Sequence, residues 1–175
     1  VYDTDGNITD IRNSETGIHN RYDAGGRLIE QTDVFGNVTK MQYDGKGRMT
    51  CITYPDETKE TISYNENNQP VSVENRDKTT TLYTYDEKNN LTSMTDENGN
   101  VSHFAYDSCD NLTAYTDRNG SLWSYTYDKK NHLQEAEDCL GNRYRYIHDD
   151  AGRLTSYTSP AGNTVEYTYS KDGDL

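Results

Sequence analysis

The groups in this chain that could do chemistry are three cysteines, four histidines and a large excess of carboxylates, 30 Asp and Glu against 17 Lys and Arg. A metal centre needs Cys or His at ligand spacing, or six or more oxygens converging on a hard cation. Cys51, Cys109 and Cys139 share no such spacing. They are expected to be unpaired and to pack as small hydrophobes, with an intermolecular disulfide as the alternative. His19, His103, His132 and His148 show no metal spacing either. Acidic turns such as Asp3-Thr4-Asp5-Gly6-Asn7, Asp96-Glu97-Asn98-Gly99-Asn100 and the run from Asp107 to Asp110 hint at Ca²⁺. Their acids alternate with Lys, Asn and Gly at varying offsets, so turn chemistry accounts for them better. The chain has no Gly-x-Ser-x-Gly, His-Glu-x-x-His or phosphate loop. Carboxylate pairs are everywhere, but nothing sets two of them in different environments, as acid–base catalysis requires. No catalytic residue, metal site or cofactor is expected, and the chain reads as something other than an enzyme.

What the reactive groups do share is a period. Tyr-Asp pairs stand at Tyr22-Asp23, Tyr43-Asp44, Tyr85-Asp86, Tyr106-Asp107 and Tyr127-Asp128, and Tyr64-Asn65 falls in step. Consecutive members are 21 residues apart, and the register continues through His148-Asp149 to Tyr169-Ser170. Backwards it reaches Tyr2-Asp3 with one residue missing. In this frame His148 is a ring standing where Tyr normally stands, and His132 replaces a turn Arg.

Each unit is punctuated at fixed offsets. Gly-Arg-Leu or a relative follows the Tyr, as at Gly26-Arg27-Leu28, Gly47-Arg48-Met49, Asn131-His132-Leu133 and Gly152-Arg153-Leu154. Gly-Asn precedes the next Tyr, as at Gly36-Asn37, Gly99-Asn100, Gly141-Asn142 and Gly162-Asn163. Gly, Asn and Asp at these points suit turns with positive φ. Turn Asn followed by strand Thr or Ser also explains the sequons at Asn7, Asn37, Asn90, Asn100, Asn111 and Asn119. Those sequons say little about glycans.

Between the turns the apolar residues alternate. Phe104 pairs with Tyr106, Tyr125 with Tyr127, Tyr83 with Tyr85 and Tyr167 with Tyr169, while Trp123 and Tyr144 extend the same face. Period two with polar residues between predicts a strand with one buried face. The other half of each unit breaks strict alternation, because Leu91 and Met94, or Leu112 and Tyr115, are three apart. A bulge or a bent short strand would explain that. One unit is therefore strand, Asp-rich turn, Leu-led strand, Gly-Asn turn. The fold class follows: all-β, about eight tandem 21-residue hairpins and about 16 strands, forming one continuous antiparallel sheet that curves or spirals. Residues 1–175 read as a single array, an excised piece of a longer repeat protein.

Composition bounds the partners. Only 31% of the residues are hydrophobic and mean hydropathy is −1.11, a balance that with a net charge of −13 usually means disorder. Sixteen Tyr against two Phe offset this, since Tyr buries a ring while its hydroxyl stays wet. The acidic balance makes nucleic acid a poor partner, and no apolar run reaches membrane-helix length. An isolated hairpin is marginal in water, so neighbouring repeats must share their buried face. No cap is evident, and a free copy is expected to pair with another through sheet edges or faces. No signal peptide is read in the chain, and any targeting segment is expected outside it.

A unit of the form Gly-Asn…Tyr-Asp-x-x-Gly-Arg-Leu resembles the RHS, or YD-repeat, family. The match is closest at Gly36-Asn37…Tyr43-Asp44…Gly47-Arg48-Met49 and at Gly141-Asn142…Asp149…Gly152-Arg153-Leu154, and the resemblance spans essentially the whole chain. Asn68-Gln69-Pro70 in place of Gly-Arg-Leu, and Lys78-Thr79 in place of Gly-Asn, depart from it. The resemblance implies a wall segment of a large secreted or surface bacterial protein, whose β-strips spiral into a shell able to enclose a toxin domain. Members that release cargo carry an Asp- and Pro-rich motif after the repeats. Pro55, Pro70 and Pro160 have no such context, so self-cleavage is not expected. The competing reading is a carbohydrate- or wall-binding module in which Trp123, Tyr125 and Tyr144 stack on sugar rings. The two differ in whether the rings are buried or line an open groove.

Overall fold

A computed structural model describes residues 4, 6, 10–13 and 16–174, with side chains described from residue 17 onward. The first expected unit, at Tyr2-Asp3, and the Asn7 sequon lie outside them. Every regular element among the described residues is a strand: β1 (Asp10–Asn13), β2 (Thr16–Tyr22), β3 (Leu28–Thr32), β4 (Val38–Tyr43), β5 (Met49–Thr53), β6 (Lys59–Tyr64), β7 (Pro70–Glu74), β8 (Thr80–Tyr85), β9 (Leu91–Thr95), β10 (Val101–Tyr106), β11 (Leu112–Thr116), β12 (Leu122–Tyr127), β13 (Leu133–Glu137), β14 (Arg143–His148), β15 (Leu154–Thr158) and β16 (Thr164–Glu166). The strand order is the chain order with no crossover, and the paired strands are antiparallel. The chain divides into two compact units, residues 1–82 and 83–175.

One turn geometry recurs fifteen times among the described residues. In each, the first residue's N–H donates to the carbonyl four residues on, and the fourth residue's N–H donates back to the first carbonyl, as in Asp44 N to Arg48 O at 2.9 Å and Gly47 N to Asp44 O at 3.0 Å. This is a three-residue hairpin loop whose last residue, the fourth of the turn, must take positive φ. Glycine meets that demand at Gly47 (φ 82°), but Lys78 (φ 71°) and Asn68 (φ 66°) adopt it too. The units that depart from the family pattern therefore keep the turn and carry its strain in a side-chain-bearing residue. Glu57 (φ 64°) is another such position. Glu57→Gly is expected to stabilise the chain by roughly 0.5–1 kcal/mol in urea unfolding, because a left-handed L-residue costs about 1–2 kcal/mol and glycine's extra chain entropy returns only part of that.

The broken alternation is a bulge. Across β10 and β11, Ala105 faces Ala114 and Tyr106 faces Leu112, which leaves Thr113 without a partner position. The same one-residue shift precedes Tyr22, Tyr43, Tyr64, Tyr127 and His148. An extra residue reverses side-chain direction once, so Leu112 and Tyr115, three apart, both rise on the face that carries Phe104 and Tyr106.

With the bulges counted, register puts the rings of each unit on one face. In the first unit the row reads Met41 opposite Ile52 and Ile62 opposite Val73, beside Tyr43 and Tyr64. In the second it reads Phe104–Tyr115–Trp123, Tyr125–Ala136–Tyr144 and Tyr146–Tyr157–Val165 across successive strands. The opposite face carries cross-strand ion pairs: Arg21–Glu30 at 3.0 Å, Arg145–Glu135 at 2.8 Å and Arg143–Glu137 at 3.1 Å. Exposed pairs of this kind contribute little stability and mainly keep the polar face soluble. Among the described residues only Ala136 (5% exposed) and Ser102 (4%) are buried. The rings are half-buried, packed sideways on one another, where the sequence suggested a buried stripe. The cysteines also correct an expectation: Cys109 and Cys139 are exposed in turns, and only Cys51 is partly covered.

Candidate functional site

The signature residues converge on the turns that follow the Tyr strands. Asp44 Oδ1 accepts the N–H groups of Lys46 (2.9 Å) and Arg48 (3.0 Å), closing the loop, while Oδ2 takes the Arg48 Nε at 2.7 Å. Asp23 with Arg27 and Asp149 with Arg153 repeat this arrangement. Held by its own turn, each guanidinium lies over the Tyr ring of the next repeat: Arg27 over Tyr43 (5.2 Å), Arg48 over Tyr64 (4.7 Å) and Arg153 over Tyr169 (4.7 Å). The Tyr hydroxyl then reaches back 15 residues to donate to a carbonyl: Tyr43 to Leu28 (2.9 Å), Tyr64 to Met49 (2.8 Å), Tyr127 to Leu112 (2.8 Å) and Tyr169 to Leu154 (2.8 Å). At these three turns Asp, Arg, Tyr and a backbone carbonyl thus form one chain of contacts from one repeat into the next. Asp86, Asp107 and Asp128 cap their turns in the same way, with Asn90, Asn111 and His132 in the Arg position.

A second ladder crosses the same turns. Lys46 donates to the Glu66 carbonyl (3.1 Å), Lys88 to the Ser108 carbonyl (2.6 Å) and Lys130 to the Asp150 carbonyl (3.3 Å). Donors and acceptors each recur every 42 residues, so alternate repeats supply the lysine. The sequence carried this signal, since Arg-to-Tyr spacing is constant at 16 and Lys-to-acceptor spacing at 20. Reading within one repeat hides both.

The hydrogen bonds set the charge behaviour of the turns. The Arg27 and Arg48 side chains hold the Asp23 and Asp44 carboxyls below their ordinary range, and Asn111 does so for Asp107. For Asp86, Asp128 and Asp149 the leading cause is a backbone N–H, from Asn90, His132 and Arg153. A carboxyl depressed on folding stabilises the fold above its unfolded value, 3.8, and loses that contribution as pH falls through the lower folded value. The chain is therefore expected to keep its turn stabilisation at pH 5 and above and to lose it below about pH 4. Acid titration monitored by circular dichroism checks this, and Asp44→Asn should flatten part of the loss.

On the ring face, Phe104 meets Tyr115 at 5.1 Å, Tyr146 meets Tyr157 at 5.5 Å, and Trp123 stacks on Tyr144 at 6.0 Å across β13. Ala136 sits in register between Tyr125 and Tyr144, small enough to let the flanking rings close over it. Burial raises the phenol pKa values of Tyr85, Tyr106, Tyr125, Tyr127 and Tyr146. The three residues singled out for sugar stacking do come together. Trp123, however, already has one face against Tyr144. An open groove of about 440 Å³ in this unit is lined largely by polar-face residues, Thr126, Glu135, Arg145 and Thr158 among them.

A family model described as RHS Repeat matches residues 22–59, 64–101, 85–122, 106–138, 127–164 and 148–175. Solved structures agree in fold. The crystal structure of TcdB2-TccC3-Cdc42 aligns with a TM-score of 0.70 at 21% identity, over 89% of this chain and 10% of that one. The crystal structure of TcdB2-TccC3 gives 0.72 at 18%, over 97% and 12%. The Photorhabdus luminescens Tc holotoxin pore gives 0.67 at 21%, over 89% and 10%. The chain spans about a tenth of the length of these structures. Among curated protein sequences no match is found.

Proposed function

The chain belongs to the RHS-repeat family, and from that premise we propose that it is a structural, non-catalytic wall segment of a much longer protein of the bacterial toxin-complex kind, secreted or displayed at a cell surface. The observation that carries this reading is where the signature residues go. Asp23, Asp44 and Asp149, with their arginines and the tyrosines one repeat on, are engaged with backbone and with each other. Within each unit these repeats hand contacts to the next, as a solenoid wall requires. The partners of such a segment are the neighbouring repeats of the parent chain. When produced alone, a second copy can substitute through a free strand edge or the half-buried ring face.

Enclosure of a toxin domain is the finer proposal. Right-handed strand twist makes wide sheets curl, and a curled strip of many such repeats would surround a cavity. Limited proteolysis of the parent protein tests it. An enclosed domain should resist protease in the unaltered protein and become cleavable when Asp44→Ala, Arg48→Ala and Tyr64→Ala are introduced together. Equal cleavage in both would remove enclosure from the account.

The second reading, a carbohydrate-binding surface at Trp123, Tyr125 and Tyr144, is favoured by one observation, the gathering of these rings around Ala136. Glycan-array binding abolished by Trp123→Ala would establish it. Absence of binding by the intact chain would leave the wall segment alone.

A further inference from the structure

Sixteen residues separate the arginine of one turn from the tyrosine it covers, and the same spacing links His132 to His148. The two imidazoles meet at 5.1 Å with planes 39° apart, close to the 4.7–5.2 Å of the Arg–Tyr rungs. His132 occupies the Arg position in detail. Its backbone N–H donates to Asp128 Oδ1 at 2.9 Å, and its Nδ1 lies 3.1 Å from Asp128 Oδ2, where Arg48 Nε meets Asp44. His148 occupies the Tyr position, paired across the strands with Leu154 as Tyr127 is with Leu133. The far side of the His132 ring presses on the next turn, its Nε2 standing 2.9 Å from where a Cβ on Gly152 would lie. Gly152 has φ 81°, so both its conformation and the ring call for glycine.

The geometry points to a proton-dependent lock at this rung. An arginine carries its charge at every physiological pH, whereas imidazole changes charge between about pH 5 and 8. With both rings neutral the rung is only a tilted aromatic pair. With one proton on the pair, a cation held by Asp128 lies against a neutral ring, which reproduces the Arg–Tyr contact. With two protons, like charges face each other at van der Waals range and the contact weakens. The charged groups around it are Asp128 from the β12–β13 turn, Asp149 and Arg153 (paired at 2.7 Å) from the β14–β15 turn, and the Lys130–Asp150 pair that bridges the two turns at 2.8 Å. None of these changes charge between about pH 5 and 8.

Hydrogen exchange read by mass spectrometry on the 175-residue chain tests the lock. After correction for intrinsic rates, protection over residues 128–154 should peak within the imidazole range of about pH 5–8 and fall at least about threefold toward both of its ends. His132→Arg with His148→Tyr restores the charge-permanent rung and should remove the peak without loss of fold. His19 and His103 remain in both proteins, so the difference isolates the pair. A flat wild-type profile, or a peak that persists in the double variant, would overturn the proposal.

Discussion

Tyr64→Ala is expected to cost about 3 kcal/mol in urea unfolding, and Tyr64→Phe only about 1 kcal/mol. The alanine removes three things at once. A half-buried ring contributes roughly 1–1.5 kcal/mol of apolar burial, the guanidinium of Arg48 over the ring (4.7 Å) about 0.5–1 kcal/mol, and the hydroxyl bond to the Met49 carbonyl (2.8 Å) about 1 kcal/mol. Phenylalanine removes only the last. Because Arg48 is tied to Asp44 in its own turn, the loss also passes between repeats: a cycle with Arg48→Ala should give a coupling of about 0.5–1 kcal/mol. Equal costs for the alanine and phenylalanine variants would mean the ring is not packed as described. Zero coupling would mean that the Arg48–Tyr64 contact does not link the two repeats.

Ala136→Glu should be more damaging, at about 3–4 kcal/mol, while Ala136→Ser should cost no more than about 1 kcal/mol. Ala136 is 5% exposed and lies in register between Tyr125 and Tyr144. A carboxylate there has rings on both sides and no cation facing it, so it must be desolvated unpaired, be protonated, or push the rings apart. Its neighbour Glu137, on the opposite face beside Arg143 at 3.1 Å, shows where the same side chain is tolerated. Calorimetry on both variants reads the difference. A glutamate variant as stable as the serine one would show that the rings leave room the structure does not give them.

Much of this architecture was legible because its determinants lie within one 21-residue window. The Tyr-Asp register gave the hairpins, the Gly-Asn and Gly-Arg-Leu punctuation gave the turns, and the three-residue spacing of Leu112 and Tyr115 pointed to the bulge at Thr113. What escaped lies between windows. Arg48 meets Tyr64 and Lys88 meets Ser108 across a repeat boundary, and no local propensity reports such a pair. At Lys78 and Asn68, where the sequence departs from the family pattern, the turn is kept: backbone bonds from Asn75 and Asn65 hold the loop, so the strained φ is tolerated. The half-exposure of the rings was hidden for a different reason. Alternation tells which side of a strand is apolar, but the layer that would cover that side is no part of the strand.

The sharpest test is an aromatic nuclear Overhauser spectrum of the chain in solution. Ring-to-ring cross-peaks should link Phe104 with Tyr115, Tyr146 with Tyr157 and Trp123 with Tyr144. Cross-peaks from those rings to the side chains of Glu135 and Arg145 instead would place them on the charged face and contradict the shared ring face on which the wall reading depends.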